Sequence, residues 1–278
     1  MLPYIVAFLG LASASVLSVN IEPVQRCNEQ EPSAEYLEFA SQLRSGNYTV
    51  PESQDGELIQ VDTYFHVLAN SSSEADGYLS NKTVEAQMTA LNEHWKASGF
   101  QFNLINTTWT IDGKWSMDTD QLAMKKTLRR GDYKALNLYF LRKMKALGYC
   151  YLPGHVTEGS DAFYRDGCTN LAATVPGGGA GKGRFEEGKT ATHEVGHWLG
   201  LLHTFQGGCS GDGDEVDDTP LQGKATSGCP KDKDTCPDHP GKDPVHNYMD
   251  YSDDPCLSEF TPGQAKRAKA MWEKFRAK

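Results

Sequence analysis

The stretch THEVGHWLGLLHTF, residues 192–205, carries the pattern that decides the fold. Three of the eight histidines in the chain stand here, as His193, His197 and His203. Residues four apart lie on the same face of an α-helix, so His193 and His197 can direct two imidazoles at one point. A third ligand on the same straight helix would not converge there. Gly200 can take a positive φ and end the helix, which lets His203 return to that point.

Three imidazoles around one point form the ligand set of a catalytic zinc ion, which keeps a fourth position for water. Glu194 follows the first histidine and points about a quarter-turn away from it, beside the metal rather than onto it. We expect Glu194 to take a proton from zinc-bound water, whose pKa the metal lowers to about 7, and to return it to the leaving amine. The pattern therefore predicts hydrolysis of peptide bonds with one Zn²⁺ ion as cofactor.

The composition describes a folded, acidic protein. A chain of 278 residues can bury a sizeable core, and 38% hydrophobic residues argue against disorder. The net charge of −10 argues against nucleic acid or an anionic membrane as a partner, because both require clustered Lys and Arg. We expect neither kind of partner, and we expect a monomer whose substrates are proteins or peptides.

The first residues, MLPYIVAFLGLASASVLSVN, have the pattern of a secretory signal. The apolar run from Leu2 to Ala12 is too short to span a bilayer comfortably, and small residues follow it. Residues 1–18 are the predicted signal peptide, with cleavage after Ser18 favoured over cleavage after Ala14. No later segment of the sequence is apolar enough to cross a membrane, so we expect a secreted, extracellular protein.

Two further features agree with secretion. Four Asn-X-Ser/Thr tripeptides are candidate N-glycosylation sites, at Asn47, Asn70, Asn81 and Asn106. The chain has seven cysteines, four of which crowd into the region after His203. In an oxidising compartment such cysteines are expected to form disulfides, and an odd number leaves one thiol over.

The rest of the chain divides into a polar N-terminal part and a part with readable structure. Residues 19–56 show no strong periodicity and are expected to be a propeptide or an N-terminal arm, and residues 57–278 are expected to be the catalytic domain. Alternation and β-branched residues predict strands at 58–68, 100–111, 135–141 and 147–153. Pro153 places the last of these strands at a sheet edge, because proline cannot donate to a ladder.

Helices are predicted between and after these strands. Helical spacing of apolar residues predicts helices at 83–98 and about 119–130. Little regular structure is expected after His203 until a C-terminal helix, which Thr261 caps together with Gln264. The order of elements predicts an α+β fold with a mixed sheet and helices packed on it.

The stretch HEVGHWLGLLH resembles the long zinc signature of the metzincin metalloproteases, which also have a methionine-bearing turn beneath the metal. HNYMDYSDDPC, residues 246–256, supplies a candidate for that turn. In it, Met249 fits the Met-turn, and Tyr251 matches the tyrosine that some metzincins swing towards the zinc. By itself a methionine at this position would indicate only core packing.

More narrowly, residues 57–278 resemble the pappalysin family, in particular its small secreted members of fungal type. The resemblance rests on YFHVL, LNLYFL, LGYCYLP, ATHEVGHWLGLLHTF, GDEVDDTP and PVHNYMDYSDDPC. It implies a zincin with a mixed sheet, backing helices and active-site helix above a deep horizontal cleft, and an irregular, disulfide-stapled lower half with a C-terminal helix. The chain departs from the family at DGCTNLAAT, where an apolar strand is usual.

The resemblance also implies cross-links and a second metal site. It favours the disulfides Cys209–Cys236 and Cys229–Cys256, although the sequence permits other pairings, and Cys150 with Cys168 would form a third. It further points to a calcium site built from Asp214 and the backbone carbonyls of Val216 and Thr219. The alternative is a solvated acidic loop, since five acidic residues lie between positions 211 and 218.

These pairings leave Cys27 over, upstream of the expected catalytic domain. A thiolate is a good zinc ligand, so Cys27 is a candidate for a latency thiol that takes the water position and silences a zymogen. An incidental or intermolecular cysteine is the other possibility.

Two alternatives to a broad secreted endopeptidase stay open from the residues alone. One is a zinc-binding interaction module without catalysis. Two observations argue against it: Glu194 is present, and a purely structural zinc site would use four protein ligands. The other is a processing protease of narrow specificity. The sequence shows no recognition domain after the Met-turn, which favours broad digestion of extracellular protein.

Overall fold

The computed structural model describes residues 26–27, 31–48 and 57–277. The predicted signal peptide, residues 1–18, lies outside them. Within the described ranges no helix is both long and apolar enough to cross a membrane.

Five strands form the sheet of the upper half. In chain order they are β1 (Ile59–Ala69), β2 (Phe100–Ile111), β3 (Leu136–Leu141), β4 (Gly148–Cys150) and β5 (Cys168–Leu171). Their order across the sheet is β2-β1-β3-β5-β4, and all run parallel except β4, which pairs antiparallel with β5. The predicted mixed sheet is confirmed. β4 lies at the edge as predicted, although it is shorter than 147–153, and β5 forms within DGCTNLAAT despite its polar residues.

The helices frame this sheet. The described residues form α1 (Ala34–Arg44), α2 (Asn81–Trp95), α3 (Gln121–Leu128), α4 (Asp161–Arg165), α5 (Lys189–Trp198) and α6 (Pro262–Met271). Helices α2 and α5 pack against the strands and share one large apolar core with them, in which Trp95 and Trp198 are fully buried. The capping box predicted at the start of α6 is present, with Thr261 and Gln264 each capping the other's backbone N–H.

Helix α1 lies in the polar segment 19–56, which shows no strong periodicity and from which no helix is predicted. Ser33 begins the helix, because its side chain accepts a hydrogen bond from the backbone N–H of Tyr36 at 3.2 Å. Only one face of α1 is buried, through Tyr36, Phe39 and Ala40. Only three of its eleven residues are buried, so packing of this one face on the rest of the protein decides the helix.

A buried ion network ties the C-terminus of the chain to α5. Asp166 is 2% exposed and pairs with Arg276 at 2.9 Å and with Arg129 at 3.2 Å. The guanidinium group of Arg276 stacks 3.7 Å from the centre of the Trp198 ring and donates to the Trp198 carbonyl. Burial alone would raise the pKa of Asp166, but the two guanidinium groups hold it below its ordinary value.

The lower half is irregular between His203 and α6, as predicted. Two interleaved disulfides, Cys209–Cys236 and Cys229–Cys256, cross-link it. A third disulfide, Cys150–Cys168, joins β4 to β5 in the upper half. The first two are the pairs that the family resemblance favours, the third is the additional pair expected with them, and Cys27 is part of none of these disulfides. Cross-links substitute here for the apolar burial that the loops lack.

Candidate metal centre and cleft

The three histidines of the opening stretch converge. Gly200 has a φ of +82° and ends α5, so the chain turns and brings His203 back beside His193 and His197. Each pair of their Nε2 atoms is 3.2 Å apart. Three corners of a tetrahedron around an ion bonded at ~2.0–2.1 Å stand about 3.3–3.4 Å apart, so the triangle fits zinc.

Backbone carbonyls orient two of the rings. The Nδ1–H of His193 donates to the Tyr248 carbonyl at 2.7 Å, and that of His197 donates to the Leu201 carbonyl at 2.9 Å. Since a carbonyl only accepts, each Nδ1 carries the proton and each Nε2 presents a lone pair to the common point. Burial and the neighbouring imidazoles hold the pKa of His193 well below its ordinary value, which favours the neutral form that binds metals.

Glu194 approaches the same point from α5 and is fully buried. Its carboxylate lies directly against the backbone of Gly148, the first residue of β4. A Cβ atom at position 148 would stand 2.4 Å from Glu194 Oε1. Gly148 was not among the predicted site residues. A glycine at the start of a predicted strand is the available signal, because it often marks a close approach.

Met249 and Tyr251, the two residues of the predicted Met-turn, lie close to α5 and to His203. Met249 is fully buried against α5, and a Cβ atom at Gly196 would stand 2.3 Å from its Sδ atom. The Tyr251 ring lies 4.9 Å from the His203 ring between centroids. Gly196 thus has the same function for Met249 as Gly148 has for Glu194, namely to leave room for a larger side chain.

Residues 26–27 lie in the cleft. The Sγ atom of Cys27 is 3.3 Å from Glu194 Oε2, and it lies within 4.8 Å of the metal-facing atoms of His193, His197 and His203. The Tyr251 hydroxyl donates to the Cys27 carbonyl at 3.4 Å. The structure therefore places this thiol beside the fourth corner of the histidine site.

Arg26 anchors the same segment in a side pocket, which the sequence does not reveal. Its Nη2 atom is 2.8 Å from Asp254 Oδ1, and both side chains are buried. Its guanidinium group also lies 4.9 Å from the centre of the Phe185 ring. The Arg26 carbonyl accepts a hydrogen bond from Gly148 N at 3.1 Å, and Cys27 bridges to β4 in the parallel direction. Residues 26–27 thus add to the free edge of the sheet.

Asp214 differs from the other acidic residues of the loop by being buried. It is 2% exposed, and its Oδ1 atom accepts a hydrogen bond from Val216 N at 3.2 Å. Its Oδ2 atom accepts no hydrogen bond of ordinary geometry from the described residues, although the Thr219 and Gln264 side chains lie close enough to lower the pKa of the carboxyl group. Burial raises the pKa of Asp214 to about 7. Asp212 and Asp217, in contrast, are exposed and pair with Arg44.

The four glycosylation candidates are accessible. Asn47, Asn70, Asn81 and Asn106 are all exposed in the structure. Accessibility of the side-chain amide is the structural requirement for N-glycosylation.

The fold and this site define a zinc-dependent metalloprotease of the metzincin type, and comparisons with known proteins agree. A family model for peptidase M43, pregnancy-associated plasma protein-A, matches residues 133–273. An extracellular metalloprotease of Colletotrichum graminicola is 47% identical over 277 residues, covering 98% of each chain. One of Pyricularia oryzae is 48% identical over 276 residues, covering 96% of this chain and 95% of the relative.

Two solved structures are similar as well. A promirolysin mutant of Tannerella forsythia has a TM-score of 0.68 and 25% identity, covering 86% of this chain and 88% of that chain. Mature mirolysin of the same organism, in complex with a cleaved peptide, has a TM-score of 0.63 and 28% identity. The match covers 80% of this chain and 93% of that chain. The chain therefore belongs to peptidase family M43, the pappalysins. It is a secreted zinc metalloendopeptidase that hydrolyses peptide bonds of peptides or proteins.

Proposed function

We propose that His193, His197 and His203 hold the catalytic zinc ion and that Glu194 is the general base. The observation that carries this proposal is the equal 3.2 Å spacing of the three Nε2 atoms, with a buried carboxylate beside them. When bound, zinc acts as a Lewis acid on the scissile carbonyl and acidifies the attacking water. Glu194 takes the proton of that water and then delivers it to the leaving amine.

The remaining residues of the site position the reactants. Arg26 and Cys27 pair with the outer edge of β4 in this structure. When they have left, the backbone groups of that edge can pair with an extended peptide substrate. The Tyr251 hydroxyl, which donates to the Cys27 carbonyl, is placed to donate to the developing oxyanion of a substrate. Met249 supports the histidines from below.

The test of these roles is hydrolysis of casein by the processed enzyme. Glu194→Ala should abolish cleavage while the protein still binds one equivalent of zinc, because the carboxylate is not a ligand. Retained activity in Glu194→Ala, or activity that survives complete removal of zinc, would refute the assignment.

Cys27 is proposed as the thiol that keeps the secreted zymogen silent. The supporting facts are its burial and its place beside Glu194 and the three histidines. Its location disfavours an incidental or intermolecular cysteine, because a thiol inside the cleft cannot reach another chain. Cys27→Ala should give premature activity, and normal latency in that variant would contradict the proposal.

The domain boundaries follow from this role. Residues 1–18 are proposed as the signal peptide, 19–56 as the propeptide and 57–278 as the catalytic domain, which acts as a monomer. N-terminal sequencing and sedimentation of the mature protein test these boundaries and the monomer.

A structural calcium ion at Asp214, with the carbonyls of Val216 and Thr219, is the second metal that we propose. The buried Oδ2 atom, which accepts no hydrogen bond of ordinary geometry from the described residues, supports it over a solvated loop. Calcium should raise the melting temperature of the zinc-loaded protein, and Asp214→Asn should remove that increase. An unchanged melting temperature after calcium is removed and zinc restored counts against the site.

Broad digestion of extracellular protein is proposed over narrow processing of one target. Profiling cleavage of a whole-proteome peptide mixture separates the two, since a single cleaved product would overturn the broad assignment. Occupancy of Asn47, Asn70, Asn81 and Asn106 by N-glycans is tested by peptide mapping with and without deglycosylation.

A further inference from the structure

Helix α1 lies on a surface outside the cleft, which we call the α1 groove. The groove is lined by Leu202, Ala270, Met271 and Phe275, which form a hydrophobic cluster with Tyr36, Phe39 and Ala40 of the helix. Tyr36 and Ala40 are fully buried, and Phe39 is 2% exposed. The Phe39 ring packs edge-on against Phe275 with centroids 5.7 Å apart. The helix and the groove therefore share an apolar core of their own.

A polar contact links α1 to the turn that presents His203. The Tyr36 hydroxyl donates to the Gly200 carbonyl at 2.8 Å and accepts from Arg267 Nη2 at 2.9 Å. Arg267 Nε donates to the same Gly200 carbonyl at 2.9 Å. All three groups are buried, so the helix meets a specific hydrogen-bonding site as well as an apolar surface.

Charge complementarity fixes the other end of the helix. Arg44, in the last turn, pairs with Asp212, with Asp217 at 3.2 Å and with Glu215 at 3.8 Å. These carboxylates belong to the acidic loop that follows the histidines. They are partly exposed, so they contribute to orientation and association rate more than to affinity.

The N-terminal segment thus contacts the rest of the protein at two separate places, through residues 26–27 and through residues 33–48. We propose that the α1 groove binds residues 31–48 of this chain as an independent peptide, so that cutting the chain between 49 and 56 does not by itself release the thiol from the cleft. This inference rests on the proposed latency role of Cys27. Activation then requires the cut segment to dissociate or to be cut again on the N-terminal side of α1.

The physical reason is that a cut removes only the tether. The tether supplies a high effective concentration, whereas the affinity comes from the buried contacts of Tyr36, Phe39 and Ala40. An isolated helix of 11 residues is marginal in water, so we expect residues 34–44 to fold as they bind.

The test uses the full chain with a recognition sequence for a site-specific protease placed between residues 49 and 56. After the cut, size-exclusion chromatography reports whether the N-terminal fragment elutes with the enzyme, and casein hydrolysis reports whether the cleft is open. We expect the fragment to co-elute and the activity to stay below about a tenth of that of a cut Phe39→Ala chain.

Two variants on the same helix provide the comparison. Phe39→Ala should weaken binding of the cut fragment by at least about 100-fold, so the fragment separates and activity appears. Leu37→Ala is the matched control, because Leu37 is 44% exposed, and its cut chain should behave like the parent. An excess of a synthetic peptide of residues 31–48, which lacks Cys27, should displace the cut fragment, and the same peptide with Phe39→Ala should not.

The outcomes separate this inference from the latency proposal. Immediate release of the fragment from the cut parent would overturn the role of the groove. Equal displacement of the fragment by the unchanged peptide and by the Phe39→Ala peptide would do the same. A cut Cys27→Ala chain should keep its fragment and yet be active. If cut parent and cut Cys27→Ala are equally active while both retain the fragment, the latency role of Cys27 fails and the groove stands.

Discussion

Gly148 and Glu194 are in direct contact, because the missing side chain of the glycine leaves the space that the carboxylate occupies. A Cβ atom at position 148 would stand 2.4 Å from Glu194 Oε1 and 2.6 Å from its Cγ atom. The start of an edge strand thereby determines where the proposed general base can lie.

The first prediction concerns this contact. Gly148→Ala should push the Glu194 carboxylate away and reduce kcat/KM by about 100-fold, since a displacement of about 1 Å can cost that much. Zinc content should be unchanged. Gly154→Ala is the control, because a Cβ atom there meets nothing within 4 Å. Near-normal activity of Gly148→Ala would show that Glu194 has another productive position.

The second prediction concerns the packing of Met249 beneath the histidines. Gly196→Ala should destabilise the protein by about 1–3 kcal/mol, because the new methyl group would stand 2.3 Å from Met249 Sδ. Urea unfolding measures the change. The loss in the double variant Gly196→Ala/Met249→Ala should be smaller than the sum of the two single losses. Strict additivity would show that the two positions do not compete for space.

The third prediction concerns the buried ion network. Asp166→Asn should lower the free energy of unfolding by about 3–5 kcal/mol, because it leaves Arg276 and Arg129 buried with no carboxylate. Chemical denaturation measures this loss. Asp161→Asn removes the partner of Lys126 in an exposed pair and should cause no measurable change. Equal losses of unfolding free energy in the two variants would mean that burial does not determine how much each ion pair contributes to stability.

The fourth prediction is a pH dependence. His66 is buried between hydrogen bonds to Thr108 and Asn137, and burial lowers its pKa from 6.5 to about 4. The unfolded chain therefore binds a proton at a higher pH than the folded chain does. The stability that neutral His66 contributes is complete above pH 6.5 and is lost as the pH falls towards 4, by at most about 3 kcal/mol.

Comparison with a variant isolates this effect from the other histidines. Unfolding free energies of the parent and of His66→Gln, measured from pH 7.5 to pH 4, should differ by an amount that shrinks as the pH falls. A constant difference across that range would rule out His66 as the titrating group.

Patterns of short range predicted much of the fold and the convergence of the three histidines. The i, i+4 histidines, the glycine stop and the later histidine depend on a few consecutive residues, and the structure brings all three imidazoles together. Strands β1, β2 and β3 were readable because alternating or continuous apolar runs mark buried strands.

Features that depend on distant parts of the chain were not predicted. Arg26 and Asp254 meet across 228 positions, and no local pattern connects them. Helix α1 lies in a segment without strong periodicity, and its buried face packs on Met271 and Phe275, which are more than 200 positions away in the sequence. Gly148 lies in a stretch that reads as an ordinary strand, and only the position of Glu194 explains why a glycine stands there.

The interleaved order of Cys209–Cys236 and Cys229–Cys256 has a practical consequence for making the protein. Each of these bonds closes a loop that contains one cysteine of the other, so four thiols permit wrong pairings that must be reshuffled before the floor of the cleft can form. Thiol exchange of this kind takes seconds to hours and depends on an isomerase. A reducing bacterial cytosol would therefore leave the lower half without its cross-links, whereas a host with an oxidising secretory route and a disulfide isomerase should yield native enzyme.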